Sequence, residues 1–331
     1  MPEPRSLRIA TAPHLHAGRT VPRMMLHTVI ALLPAALFAV ALFGLAALAT
    51  IVVAVLACLA AEWTVAPRSA LGDGSALLTG LLLGLSLPPA LPLWMVAVGG
   101  ACAIFVGKQL FGGLGGPVFH PALVGRVFLQ AAFPTAMAQG WLAPFAAGRA
   151  TELPGTSLAV PFMTPGAGYD GISGATPLAA GGTPVGDLWI GTVAGSVGET
   201  SALLLLLGGL YLVALKVVNW RIPVALLGAV ALLSAFLNGL DPERYPSVLT
   251  ALGSGGLMLG AWFFATDTAS SPMPRGGAWV YGFVIGVLVV LIRQFSGHVE
   301  GVMYALLLGS ALTPHIDRWL APRPIRLGDS P

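Results

Sequence analysis

The chain is a succession of apolar runs, each close to the length needed to cross a lipid bilayer. A spanning helix takes about 20 such residues, since the hydrocarbon layer is about 30 Å thick and a helix rises about 1.5 Å per residue. Ten runs can be marked, near 24–42, 44–62, 74–89, 91–109, 117–133, 191–215, 221–239, 247–265, 278–294 and 300–318. The third and fifth are short, and Pro or Gly interrupts several others. Helices that satisfy their own backbone are the natural solution for such runs, so the pattern predicts an all-α polytopic membrane protein. Composition agrees. Charged residues make up 9% of the 331 residues and hydrophobic ones 56%, whereas a soluble domain carries about 25% charge. So little charge cannot cover a water-soluble globule of this size. A soluble enzyme, a nucleic-acid binder and a disordered chain are excluded.

The placement of the basic residues predicts orientation, because Lys and Arg concentrate in cytoplasmic loops. With the N-terminus inside and ten crossings, the inner segments hold Arg5, Arg8, Arg19, Arg23, Arg68, Lys108, Lys216, Arg221, Arg275, Arg318, Arg323 and Arg326. The outer segments hold Arg149, Arg244 and Arg293, and Arg126 lies within a run. Both termini are then cytoplasmic. The net charge of +3 is explained by this bias rather than by a nucleic-acid partner. The Arg-rich start has no convincing cleavage site after it, so the first run reads as a retained helix rather than a signal peptide. Cys58 and Cys102 stand alone in apolar runs with no CxxC, which argues against a disulfide framework, a structural zinc or an iron–sulfur cluster held by this chain alone.

Residues 134–190 form the largest polar interruption and divide the chain into 1–133, 134–190 and 191–331. The loop falls on the outer side. The flanking parts share a weak repeat at an offset near 185: Lys108-Gln109-Leu110 aligns with Arg293-Gln294-Phe295, Gly112 with Gly297, and Pro89 with Pro274. In a slightly shifted register, residues 122–125 fall on 306–309. Paired positions are separated by five runs, an odd number, so the two five-helix halves are expected to be inverted relative to each other, as in transporter-like folds.

The most informative stretch is Tyr169-Asp170-Gly171-Ile172-Ser173-Gly174-Ala175-Thr176-Pro177-Leu178, inside the outer loop. Asp170, Ser173, Gly174, Ala175 and Thr176 reproduce an Asp-x-x-Ser-Gly-Ala-Thr pattern that resembles the acceptor motif for covalent FMN in membrane flavoprotein subunits. The resemblance implies a phosphoester from FMN to the Thr176 hydroxyl, made by a flavin transferase. The small residues Gly174 and Ala175 leave room for a phosphate at the backbone. Pro177 biases Thr176 toward an extended conformation.

Further segments extend the likeness: Ala12-Pro13-His14, Lys108 to Gly115, Gly195-Ser196-Val197-Gly198-Glu199-Thr200-Ser201, and Ala265-Thr266-Asp267. Together they resemble the family formed by the D subunits of Rnf ion-translocating electron-transport complexes and the B subunits of sodium-pumping NADH:quinone reductases. The short N-terminal stretch suits the Rnf branch, with the quinone-reductase branch as the alternative. The chain departs from the family pattern at Ala12, usually Ser, at His120 of His120-Pro121, usually Asn, and at Thr268, usually Pro. His120 is expected to replace Asn at a helix start rather than to bind a metal, since no second ligand sits at a matching spacing.

The resemblance implies a subunit of a six-subunit complex in the bacterial inner membrane, with the 134–190 loop periplasmic. It implies FMN on Thr176 and a second, non-covalent flavin, commonly riboflavin, deeper in the bilayer. Electron flow linked to NADH and ferredoxin through partner subunits would be coupled to Na⁺ or H⁺ movement. A charge inside the bilayer is costly and often functional, so Arg126 is a candidate for contact with a flavin or with a carboxylate. Glu199 either serves a flavin or ion site or simply complements a helix N-terminus. Asp267 either lies on a cation pathway or caps a loop. Gly112 to Gly116 resemble a phosphate loop but follow an apolar helix and lack the Lys-Ser/Thr pair. A solute channel or transporter would suit inverted repeats equally well, but would have no reason to carry the Thr176 motif.

Overall fold

In the computed structural model the described residues are 20–65, 70–139, 141–146, 148, 153–159, 184–199, 201–296 and 301–320. Every extended regular element among them is helical. These are α1 (Val21–Phe43), α2 (Leu45–Val65), α3 (Ser75–Ser86), α4 (Leu93–Phe105), α5 (Pro121–Ala132), α6 (Pro134–Gln139), α7 (Val185–Ile190), α8 (Ala202–Ala214), α9 (Arg221–Leu240), α10 (Val248–Gly253), α11 (Leu257–Leu259), α12 (Arg275–Phe295) and α13 (Val302–Leu320). Among the described residues five helical stretches are long and apolar enough to cross a membrane: α1, α2, Leu93–Phe111, α9 and α12.

The remaining apolar runs hold shorter or interrupted helices. α3 has 12 residues, or about 18 Å at 1.5 Å per residue, well short of a hydrocarbon layer of about 30 Å. It stops before Pro88-Pro89, where proline cannot continue a helix and restricts the residue ahead of it. The eighth run divides into α10, a break at Ser254–Gly256, then α11 running into a π-turn at Gly260–Phe264. Residues 86–91 are nonetheless buried. Non-helical backbone at membrane depth needs partners within the protein, and several are present. Thr50 Oγ1 donates to Pro89 O at 3.3 Å, Val197 N to Leu87 O at 3.0 Å, and Gly198 N to Leu85 O at 2.6 Å.

Packing follows the small residues. α2 lies against α3 and α4, and α9 lies against α10 and α12. Glycine permits these crossings to close. A Cβ at Gly80 of α3 would come within 2.5 Å of Val55 Cα on α2, and one at Gly286 of α12 within 2.5 Å of Leu226 O on α9. Such close approach is how membrane helices gain dispersion energy without a hydrophobic drive between them. α1 packs on α8, where a Cβ at Gly208 would meet Ala31 O at 2.5 Å.

Part of the polar segment that follows α5 is tied to this frame. Thr156 Oγ1 donates to Ala90 O at 3.0 Å and Phe145 N to Leu42 O at 3.0 Å. These contacts hold it at the end of the bundle where α1 finishes and α3 leads into α4. The Thr176 motif, residues 169–178, lies outside the described residues.

Candidate functional site

The structure brings Arg126 and Glu199 together from distant parts of the chain. Arg126 stands on α5, whose first turn is set by His120: its Nδ1 accepts the Ala122 N–H at 3.2 Å. Imidazole thus takes the capping role an Asn side chain would fill, with Pro121 at the first helical position. The His120 and Phe264 rings meet nearly at right angles, 5.0 Å between centroids.

Glu199 sits in the short segment that crosses the end of α3 before Ser201 caps α8 through the Leu204 N–H at 3.3 Å. The two backbone bonds to Leu85 and Leu87 fix that crossing. Its Oε1 lies 3.7 Å from Arg126 Nη1, an ion-pair separation longer than a hydrogen bond, with both side chains 3% exposed. The carboxylate reaches into the break of the eighth run, against Gly256, where a Cβ would collide with Oε1. A larger residue there would have to push the carboxylate aside.

Arg293 completes the arrangement. It occupies the last turn of α12, where it is part-buried rather than standing in an outer loop as its sequence position suggested. Its Nη1 donates to Ala251 O at 3.0 Å and its Nη2 to Ser254 O at 2.9 Å, so one guanidinium fork closes the C-terminus of α10. Cations are favoured at helix C-termini, and the planar fork matches two carbonyls. Arg293 also acts electrostatically on Glu199. Two guanidinium groups therefore face one carboxylate in a buried setting. Glu199 Oε1 and Ser254 Oγ have no hydrogen-bond partner among the described residues. The centre carries an excess of positive charge and spare acceptor capacity at the meeting point of two interrupted helices.

Asp267 belongs to a different cluster. It follows the π-turn, accepts the Ser270 hydroxyl at 3.2 Å and, through its backbone carbonyl, the Ser271 N–H at 3.0 Å, which closes the 267–271 turn. Thr313 of α13 donates to Ser270 O at 2.9 Å and holds that turn down. The Asp267 carboxylate faces His120 and Tyr281 closely enough to act on both. Asp170, Ser173, Gly174, Ala175 and Thr176 lie outside the described residues. The glycines at 112, 113 and 115 take φ of 90°, 90° and 92°, the left-handed geometry of a tight turn. Among the described residues no group of His, Cys, Asp and Glu is arranged to hold a metal ion.

Sequence reasoning missed one constellation. Glu62 on α2 is fully buried and paired with Lys108, which is itself 3% exposed just beyond α4. Lys108 reads as a loop residue in the sequence because it ends an apolar run. The signal for its burial is Glu62, an acid at the edge of the second run, where an unpaired carboxylate would be costly.

Comparison with known proteins matches residues 8–326 to the model of the NQR2, RnfD, RnfE family. A relative from Stutzerimonas stutzeri, named as the D subunit of an ion-translocating oxidoreductase complex, is 42% identical over 330 residues, covering 92% of each chain. One of the same name from Halorhodospira halophila is 38% identical, over 95% of this chain and 94% of its own. A Clostridium ljungdahlii protein, named as the D subunit of a proton-translocating ferredoxin:NAD(+) oxidoreductase complex, is 37% identical, over 95% of this chain and 94% of its own.

Proposed function

The chain belongs to the NQR2, RnfD, RnfE family, and from that premise we propose that it is a membrane subunit of an Rnf-type ion-translocating electron-transport complex. It carries FMN covalently on Thr176 and works with the other subunits of that complex, not alone. The observation that carries this reading is the Asp170-x-x-Ser173-Gly174-Ala175-Thr176 motif in a chain whose full-length relatives are named as oxidoreductase complex subunits. A channel has no use for such a threonine. The Rnf branch is preferred over the quinone-reductase branch because the relatives carry the former type of name.

In this reading ten crossings form two inverted five-helix halves, with cytoplasmic termini and the flavin loop on the periplasmic side of the inner membrane. The packing supports it: in each half the second helix lies on both its third and its fourth. Gly125 meets α4 as Gly309 meets α12, positions that the sequence repeat pairs. FMN supplies one- and two-electron transfer, and the protein positions it and sets its surroundings. The Thr176 hydroxyl anchors the phosphate, with Asp170, Ser173, Gly174 and Ala175 presenting it to a flavin transferase. Arg126 and Arg293 place excess positive charge in the bundle, which favours a reduced, anionic redox group nearby, such as a second, non-covalent flavin of the riboflavin type. Glu199 tempers that charge and, with Asp267, is a station for the coupled cation, Na⁺ or H⁺.

The test is flavin fluorescence of the denatured polypeptide in a gel, from cells that contain a flavin transferase. The native chain is expected to fluoresce and Thr176→Val to be dark. Fluorescence that survives Thr176→Val removes the attachment site, and a dark native chain removes the covalent flavin.

A further inference from the structure

At the end of the bundle opposite the anchored 134–190 segment, four side chains form a continuous hydrogen-bonded line. Glu62 of α2 accepts from Lys108 Nζ. Lys108 Nζ also donates to Ser75 Oγ at 2.5 Å, at the first residue of α3. Ser75 Oγ donates in turn to Asp73 Oδ1 at 2.5 Å, in the turn before α3. Burial changes steadily along the line: Asp73 is half-exposed, Ser75 and Lys108 are 5% and 3% exposed, and Glu62 is fully buried. Its far oxygen, Oε2, has no hydrogen-bond partner among the described residues. Among the described residues Cys58, one turn earlier on α2, is a further titratable group against this pair, and its Sγ donates to Gly100 O at 3.5 Å.

A structural ion pair needs only a matched cation and anion. Here the line joins two carboxylates through one ammonium and one hydroxyl. The ammonium occupies the place beside Glu62 that a metal cation would take, and a proton is the cation that can enter without displacing it. Lysine is suited to this because its ammonium can give up a proton when buried, whereas a guanidinium stays charged.

We propose that Asp73, Ser75, Lys108 and Glu62 form a proton relay that loads Glu62 from the aqueous phase at this end of the bundle. The inference rests on the chain being part of an ion-translocating complex and adds a station apart from Arg126–Glu199. Lys108 passes one proton to Glu62, leaving a neutral amine beside a carboxylic acid. Asp73, protonated from water, then gives its proton to Ser75 Oγ as the Ser75 hydroxyl proton moves to Lys108 Nζ. The ammonium and the Asp73 carboxylate are restored. One proton has moved from water to Glu62, and no electron is transferred. Oε2 is the atom from which that proton can leave.

The complex containing this chain, reconstituted in vesicles, tests the relay through proton uptake and Na⁺ uptake followed separately during electron transfer. Lys108→Arg keeps the ion pair but cannot pass a proton, and is expected to cut proton uptake about tenfold or more. Asp73→Asn lies at the half-exposed mouth, away from the core, and is expected to slow uptake in a way that added acetate restores by carrying protons past the mouth. Glu62→Gln should lose uptake with no such rescue. Native uptake in Lys108→Arg, or no effect of Asp73→Asn, overturns the relay while leaving the functional reading intact. Uptake of Na⁺ alone by the native complex also overturns it. Electron flow in the native complex with neither ion moving removes the functional reading and the relay with it.

Discussion

Lys108 and Arg293, which the sequence alignment at an offset near 185 pairs, each lie near the end of a long helical stretch, yet they meet different demands. Lys108 finds its carboxylate, Glu62, within its own half, and Ser75 takes a second of its protons. Arg293 forms no ion pair of that kind among the described residues. It spends its fork on the carbonyls of Ala251 and Ser254, exposed by the break between α10 and α11, and shares Glu199 with Arg126. The difference follows from the helix beside each residue. α3 starts intact beside Lys108, with its N-terminus held by Asp73 and Ser75, whereas the eighth run is interrupted beside Arg293 and leaves acceptors to be satisfied. A site that must hold two carbonyls permanently takes the always-charged fork. A site lined by two carboxylates can take the residue able to release a proton.

The largest expected effect comes from removing the fork. Arg293→Met leaves the Ala251 and Ser254 carbonyls without their donor and removes one of two positive charges acting on Glu199, and should cost about 3–5 kcal/mol, read from thermal unfolding of the purified complex. Arg293→Lys should recover only part of this, since one ammonium does not reproduce two parallel N–H bonds. Full recovery would erase the distinction between the halves. Lys108→Met strands Glu62 and should cost about 3 kcal/mol, while Lys108→Arg stays close to native stability by the same measurement. The helix crossings give a smaller contrast. Gly286→Ala puts a methyl against the Leu226 backbone and should cost about 1–3 kcal/mol. Gly100→Ala, whose nearest obstacle is the Ala57 methyl at 2.9 Å, should cost less. Smallest is His120→Ala, at about 1 kcal/mol for a lost cap, with His120→Asn nearly neutral.

Much of the frame could be read from the chain. The runs at 24–42, 44–62, 221–239 and 278–294 are helices α1, α2, α9 and α12, displaced by a few residues at their ends. The helix-start role of His120 was also legible, from its standing where the family pattern has Asn before Pro. The break at Ser254–Gly256 was not. Nothing in Gly253-Ser254-Gly255-Gly256 distinguishes a glycine needed for close packing from one marking an interruption. Glu199 against Gly256 and the Arg293 fork decide it.

Composition and periodicity determined that this chain is a bundle of apolar helices, because water cannot tolerate so much uncovered hydrocarbon and a bilayer cannot tolerate unsatisfied backbone. The family and the candidate flavin threonine were likewise legible, since a short motif is a local property of the chain. The partners of the buried charges were not. Arg126 meets Glu199 across 73 residues of chain, and Lys108 meets Glu62 across 46. A buried charge is tolerable only beside its complement, and which complement arrives is fixed by how the helices cross and where they break. The sequence determined that such charges must be paired, and the tertiary structure decided with whom.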